Sequence, residues 1–295
     1  MAQITIIIPT YQSGHMIAKA LDSVKAQTIP DWELVVVDDA SKDSTGQVIH
    51  NFTTAVSNKV IYIKNNIRLG VAACRNIGLK NAKGEFVAFL DADDFWEKNH
   101  LEKGLATLTK GADFCYSGFY IFDRNSEKIL NTFKPDNKII NNTLIEIFKR
   151  SFIQTSSCAI LSRKLVETVG KFDEKFLIGE DWDYWIRALL CGFTMRYSGY
   201  VTCYYNKHGA NIMYNTLLLS ENVINFYHKY LDSEKLPRQL RKKYYAKSLF
   251  NHARLIRSTD PQGALNEFTK AWKIYPLAFH YIVWILYTGI NKIWH

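Results

Sequence analysis

The chain has 295 residues, of which 47% are hydrophobic and 22% charged, and it carries a net charge of +9. This is the composition of an ordinary soluble protein with a sizeable core, which excludes a disordered or fibrous chain and leaves one large domain, or one domain with an appendage. Five scattered cysteines, Cys74, Cys115, Cys158, Cys191 and Cys203, form no CxxC pair. They exclude a disulfide scaffold and are read as reduced thiols.

The opening "MAQITIIIPTYQ" lacks the basic start of a signal peptide, and its apolar run is too short for one. It predicts a first strand over 4–8 and a protein of the cytoplasm. "MIAKALDSVKAQ" then places Ile17, Leu21 and Val24 at helical spacing. "ELVVVDD" reads as a second strand ending in acids, "DSTGQVIHNFTTAV" as a capped helix and "KVIYIK" as a third strand. "GVAACRNIGLKNAKG" is a helix closed by Gly84, and "EFVAFL" is a fourth strand. Strands alternating with helices imply right-handed crossovers and a mainly parallel, Rossmann-like α/β sheet flanked by helices. Ligands of such sheets bind beyond the carboxyl ends of the strands. Two acidic groups stand at those ends: Asp38 with Asp39, and the cluster Asp91, Asp93 and Asp94.

From about 112 to 206 the pattern is less regular. "ADFCYSGFYIFD" predicts a strand, "KILNTF" an edge strand, "NTLIEIFKR" a helix and "SSCAILS" another strand. In "FLIGEDWDYWIRALLCGF", Gly179 ends a loop and a helix runs over 181–191. After about Met213 the pattern is helical. "YYAKSLFNHARLIRSTDPQGALNEFTKAWKIYP" reads as a hairpin of two helices, with Asp260 as N-cap and Pro261 at the first helical position. The division expected is a domain over 1–210 and a helical region over 211–295.

The charge is unevenly placed. Nine Lys/Arg against two Asp/Glu lie between Lys229 and Arg257, a local +7. Such a block is either a solvated helix face or a surface for phosphates, anionic lipid or nucleic acid. No nucleic-acid recognition module accompanies it, so no nucleic-acid partner is expected. The apolar end, "PLAFHYIVWILYTGINKIWH", is too short to span a bilayer. It suits an in-plane helix at an anionic membrane surface, a helix packed on the hairpin, or a homodimer contact.

Closely spaced carboxylates at a strand terminus repel one another unless a cation or protons relieve them. They suit Mn²⁺ or Mg²⁺, which keeps some water and takes phosphate oxygens. A haloacid-dehalogenase-type phosphatase, with Asp91 as nucleophile, is one alternative. Its motif, however, wants a small residue where this chain has Phe95. A catalytically silent nucleotide-sugar or glycan-binding module is another. A dinucleotide-binding fold is disfavoured because the first strand leads to "PTYQSGH" and not to GxGxxG.

Read in order, "IIIPTYQ", "LVVVDDAS", "GVAACRNIGLKNAKGEFVAFLDADD" and "GEDWDYWIRA" resemble family 2 of the glycosyltransferases over about residues 3–208. The resemblance implies a GT-A fold. It also implies inverting, metal-dependent transfer of a sugar from a nucleoside-diphosphate sugar, with UDP the leading nucleotide. The acceptor implied is a glycan, including a polyprenyl-diphosphate-linked one, in surface polysaccharide synthesis. By resemblance, Pro9, Thr10, Tyr11, Asp38, Asp39, Arg75 and Asp91 line the nucleotide site, and Asp93 ligates the metal, with His208 as a further ligand. Asp94 is expected to support the cluster or cap a helix. The base that takes the acceptor's proton corresponds to Asp181. Glu180, Trp182 and Asp183 are expected on the acceptor side, and Trp182 and Trp185 are read either as a sugar-stacking face or as core.

Overall fold

The computed structural model describes residues 3–207, 216–278 and 281–286. The chain divides into two compact units, Met1–Gly209 and Ala210–His295. The first is built on a sheet of strands β1 (Ile4–Thr10), β2 (Trp32–Asp38), β3 (Val60–Lys64), β4 (Phe86–Phe89), β5 (Phe95–Trp96), β6 (Phe114–Asp123), β7 (Lys128–Phe133), β8 (Ala159–Ser162) and β9 (Met195–Lys207). Their order is β3-β2-β1-β4-β8-β6-β9-β5, with β7 paired on β6.

The first four strands are parallel, joined through helices α1 (Ile17–Lys25), α2 (Thr45–Thr54) and α3 (Val71–Asn81). β1 and β2 are buried along their whole length. That explains why they read as unbroken runs of Ile and Val: both sheet faces are covered. α1 turns Ile17, Ala20, Leu21 and Val24 inward, the stripe its spacing predicts. The registers place Thr10 beside Asp38, and Leu90 N–H donates to the Ile7 carbonyl at 3.0 Å. The two acidic groups thus come out on one rim.

Beyond β4 the sheet is mixed. β8 runs antiparallel to both β4 and β6, and β9 runs parallel to β6. The mainly parallel expectation therefore describes the first half, where strand and helix alternate. The second half lacks that alternation, so antiparallel pairs become available. β5, which follows the acids directly, pairs Phe95 with Tyr204 and Trp96 with Cys203 on β9, and the Phe95 and Tyr204 rings stack at 4.3 Å. A two-residue strand leaves no periodic signal, yet it clamps the far end of the acidic loop. "KILNTF" is the exposed edge strand β7. Helices α4 (His100–Leu108), α5 (Asn137–Asn141), α6 (Thr143–Lys149), α7 (Arg163–Val169) and α8 (Glu180–Leu190) complete the unit.

The second unit contains α9 (Thr216–Lys229), α10 (Arg238–Ile256) and α11 (Pro261–Ile274). Asp260 caps α11 by accepting from Gly263 N–H at 2.8 Å, with Pro261 in its first turn. Buried Ala246, Ala253, Ala264 and Ala271 let the hairpin helices close on one another. Among the described residues no helix is long and apolar enough to cross a membrane.

α3 lies so close to β1 that a Cβ at Gly78 would overlap Ile7 Cγ2. Gly78→Ala, which would stabilise an open helix by about 1 kcal/mol, should here destabilise by about 1–3 kcal/mol through overpacking. Urea denaturation would measure it. A more stable variant would mean that the contact is slack.

Candidate active site

The rim is organised around the loop that leaves β4. Asp94 N–H donates to the Asp91 carbonyl at 3.0 Å and closes a tight turn. The turn sends Asp94 inward, where it is 1% exposed, and leaves Asp91 and Asp93 half-buried. Asp94 Oδ1 accepts from Asn206 N–H at 2.9 Å, and Oδ2 lies 2.7 Å from both the Thr155 and the Ser157 hydroxyls. Thr155 Oγ1 is also 3.0 Å from Asp91 Oδ2, so one hydroxyl ties two carboxylates together. Ser157 Oγ accepts from Asp91 N–H at 2.9 Å. Burial, and then the charges of Asp93 and Asp91, raise the Asp94 carboxyl well above the usual carboxylate range. Asp94 is the inner anchor of the cluster.

Arg75 crosses from α3 to meet this loop. It is 3% exposed and donates through Nη2 to Asp91 Oδ1 at 2.7 Å and through Nη1 to Glu180 Oε1. Burial disfavours its charge, but Asp91 and Glu180 outweigh burial and hold the proton more tightly than usual. Glu180 opens α8 just after Gly179, whose φ of +85° is a left-handed conformation that glycine adopts without strain. The next residue, Asp181, accepts from Trp182 N–H at 2.6 Å. Its carboxyl is pushed up to about 7, first by burial and then by the charge of Glu180. The first turn of α8 thus offers a carboxylate poised near neutrality beside the Asp91–Arg75 pair.

The other residues expected around this helix are placed differently. Asp183 is fully buried and accepts from Arg187 Nε at 2.8 Å. Trp182 is 9% exposed and donates its indole N–H to the Ile147 carbonyl at 2.7 Å. Both side chains are turned inward, because helical rotation past Asp181 carries them into the packing between α6 and α8 or toward Arg187. Glu180 is turned to Arg75. Trp185 is core, fully buried against Phe89 and Phe114.

On the opposite side of β1, Asp38 is fully buried, accepting from Ser41 N–H at 2.8 Å and from the Tyr62 hydroxyl at 2.6 Å. Asp39 accepts from Leu69 and Gly70 N–H, both at 2.8 Å, and from Asn65 Nδ2 at 2.9 Å. Although burial opposes ionisation, these bonds hold its carboxyl below the usual value. Asp39 therefore fixes the loop that starts α3, and with it Arg75. Pro9 and Thr10 end β1, and Thr10 Oγ1 is buried with no hydrogen-bond partner among the described residues. Tyr11 is 39% exposed, and the Arg68 guanidinium lies 4.1 Å from its ring centroid. His208 lies outside the described residues.

Thr155 and Ser157 escaped the sequence reading. The signal they leave is a run of three hydroxyl residues, "TSS", ahead of an apolar strand. Buried hydroxyls need polar partners, and the nearest unbalanced acceptors were the loop carboxylates.

Residues 5–170 match the family model described as Glycosyl transferase family 2. The chain belongs to this family. It is similar to a UDP-Glc:alpha-D-GlcNAc-diphosphoundecaprenol beta-1,3-glucosyltransferase of Escherichia coli, WfgD, at 33% identity over 64% of this chain and 74% of that one. A second E. coli protein described by the same activity, WfaP, is 28% identical over 76% of this chain and 86% of its own. In fold the chain resembles Staphylococcus aureus TarS solved with UDP-GlcNAc, with a TM-score of 0.68 at 22% identity, covering 92% of this chain and 81% of that one. The architecture is the GT-A fold, and this family 2 member is a glycosyltransferase.

Thr155→Val keeps the shape and removes the hydroxyl that joins Asp91 to Asp94. It should lower stability by about 1–3 kcal/mol, the scale for stranding a buried acceptor, whereas Thr155→Ser should restore most of the loss. Equal unfolding midpoints for the Val variant and the wild type would show that the hydroxyl holds nothing.

Proposed function

We propose that the protein is an inverting, divalent-metal-dependent glycosyltransferase. On this reading it moves a sugar from a UDP-sugar to a hydroxyl of a polyprenyl-diphosphate-linked glycan in surface polysaccharide synthesis. The observation that carries the mechanism is Asp181: a carboxylate at the start of α8, with a proton affinity near neutrality, one residue from the Glu180–Arg75–Asp91 bridge. The activities of the Escherichia coli relatives support the donor and acceptor classes. The TarS complexes with UDP and UDP-GlcNAc support a uridine nucleotide.

In this reading Asp181 takes the proton of the acceptor hydroxyl as its oxygen forms a bond to the anomeric carbon, opposite the bond to the departing diphosphate, which breaks. A base near pH 7 is both present as carboxylate and basic enough to accept the proton. Asp183 is unsuited to the task because its charge is committed to Arg187. Arg75 orients Asp91 and balances Glu180, and so keeps the donor side and the base at a fixed spacing. On this reading Pro9, Thr10, Tyr11, Asp38 and Asp39 form the end of the cleft assigned to the nucleotide, and the Thr10 hydroxyl, which has no hydrogen-bond partner among the described residues, is a ready donor.

The donor set suits Mn²⁺ or Mg²⁺. Such ions are held by one or two carboxylates and otherwise by phosphate oxygens and water. Asp91 and Asp93, both half-buried on the loop that Asp94 anchors from inside, offer that number. A bound ion supplies Lewis-acid stabilisation of the leaving diphosphate. A mannosyltransferase of the same fold from Pyrobaculum calidifontis, with a TM-score of 0.63 at 17% identity and covering 98% of this chain and 84% of that one, was solved with GDP-Man and Mn²⁺.

Asp93→Ala should abolish the Mn²⁺ dependence of UDP binding in calorimetry while the melting temperature stays within the range of surface variants. If UDP binding keeps its response to Mn²⁺, Asp93 is no ligand. Asp181→Asn should reduce transfer by about 10²-fold or more, with donor affinity nearly intact, and wild-type kcat/KM should fall as pH drops below about 7.

The same residue makes a stability signature. The folded-state value of about 7 lies above the ordinary 3.8, so between these pH values the folded chain holds a proton that the unfolded chain has lost. Wild-type stability therefore declines through that window as pH rises. Asp181→Asn, neutral throughout, should melt higher than wild type above pH 7, by about 2–4 °C per kcal/mol relieved, and the gap should close toward pH 4. A variant that transfers normally, or melts lower at pH 8, would count against Asp181 as the base.

A further inference from the structure

The helical unit carries a basic stripe of its own. On α10, Lys243, Lys247 and Arg254 are exposed and recur at intervals of four and seven, so they form one stripe along its outer face. Among the described residues none of the three is ion-paired with an acid. Lys247 lies 5.7 Å from the Tyr244 ring, and Arg254 and Arg257 lie 5.3 and 5.2 Å from that of Trp284. The carboxyl end of the stripe meets apolar side chains in water. Leu255 is 46% exposed. Over 281–286 the chain is helical again, with Tyr281 and Trp284 packed on Phe250 at 4.5 and 6.0 Å, while Val283 and Leu286 point outward, 64% and 59% exposed.

Cations alone would fit any polyanion. A nucleic acid would pair with the stripe and leave Leu255, Val283 and Leu286 in water. A lipid surface satisfies both, because it sets anionic headgroups over an apolar boundary, and Arg side chains stacked on Trp are stable at that level. We propose that the helical unit docks on an anionic bilayer through Lys243, Lys247 and Arg254, with Leu255, Val283 and Leu286 entering the headgroup boundary. The proposal rests on this unit alone and is independent of the donor, acceptor and metal assignments.

Sedimentation of the full-length protein with vesicles tests it. Binding is expected to equimolar phosphatidylglycerol and phosphatidylcholine, not to phosphatidylcholine alone, and should weaken as salt rises to about 0.5 M. The triple variant Lys243→Gln, Lys247→Gln, Arg254→Gln should bind on the order of 100-fold more weakly, each basic side chain near an anionic surface being worth about fivefold. The double variant Leu255→Ser, Val283→Ser should also bind at least about tenfold more weakly, with its charge intact. Thermal melting checks that both variants fold, since all five side chains are exposed. Wild-type protein that ignores the anionic vesicles overturns the proposal. So does binding that only the charge variant loses and that single-stranded RNA displaces, which would mark a general polyanion surface.

Discussion

A guanidinium that is 3% exposed persists inside a protein only when carboxylates surround it, and Arg75 draws its two from distant parts of the chain: Asp91, 16 residues on, and Glu180, 105 residues on. Removing one partner of a buried ion pair leaves an uncompensated charge, which is far more damaging than the net worth of the pair. The loop after β4 and the start of α8 are therefore locked to α3 by a single side chain. α3 is itself positioned from the other end, where Asp39 accepts three hydrogen bonds from the segment 65–70. The acids that end β2 and those that open α8 are thus joined through one short helix.

The same arrangement answers why like charges can be crowded. Asp91 has an arginine, and Asp94 is buried, bound by two hydroxyls and raised in proton affinity, so each is answered by a partner of its own. Asp181 sits on the other side of that balance. Glu180 and burial push its proton affinity up while Arg75 pulls it down. Catalysis by a carboxylate near neutral pH depends on such opposed influences, since an ordinary aspartate is too weak a base. The helix N-terminus alone would have moved it the wrong way.

Much of this was legible in the residues. The crossover half of the sheet, the two acidic groups on its rim and the capped α11 follow from patterns with a direct physical cause: period, turn chemistry and like-charge crowding. Asp181 could be placed at a helix start because glycine precedes it. The rest had no local signature. Asp183 and Trp182 have the same residue types as acceptor-side groups, and only the packing of α8 against α6 and the pairing with Arg187 show that they face inward. Thr155 and Ser157 are ordinary hydroxyl residues until the fold sets them beside Asp91 and Asp94, more than 60 positions away. β5 is two residues long, below the length at which any pattern can be recognised.

β5 also bears on the order of folding. Asp94 takes one of its bonds from Asn206, 112 residues further along, and Phe95 is held by Tyr204. Contacts of that sequence separation form slowly because a long loop must close first. During synthesis, every acid of the 91–94 loop emerges long before the strand that fixes it. A chain stopped short of β9 would display all of the motifs and still lack the geometry. The carboxylates are written early and become a site only when nearly the whole first unit has been made.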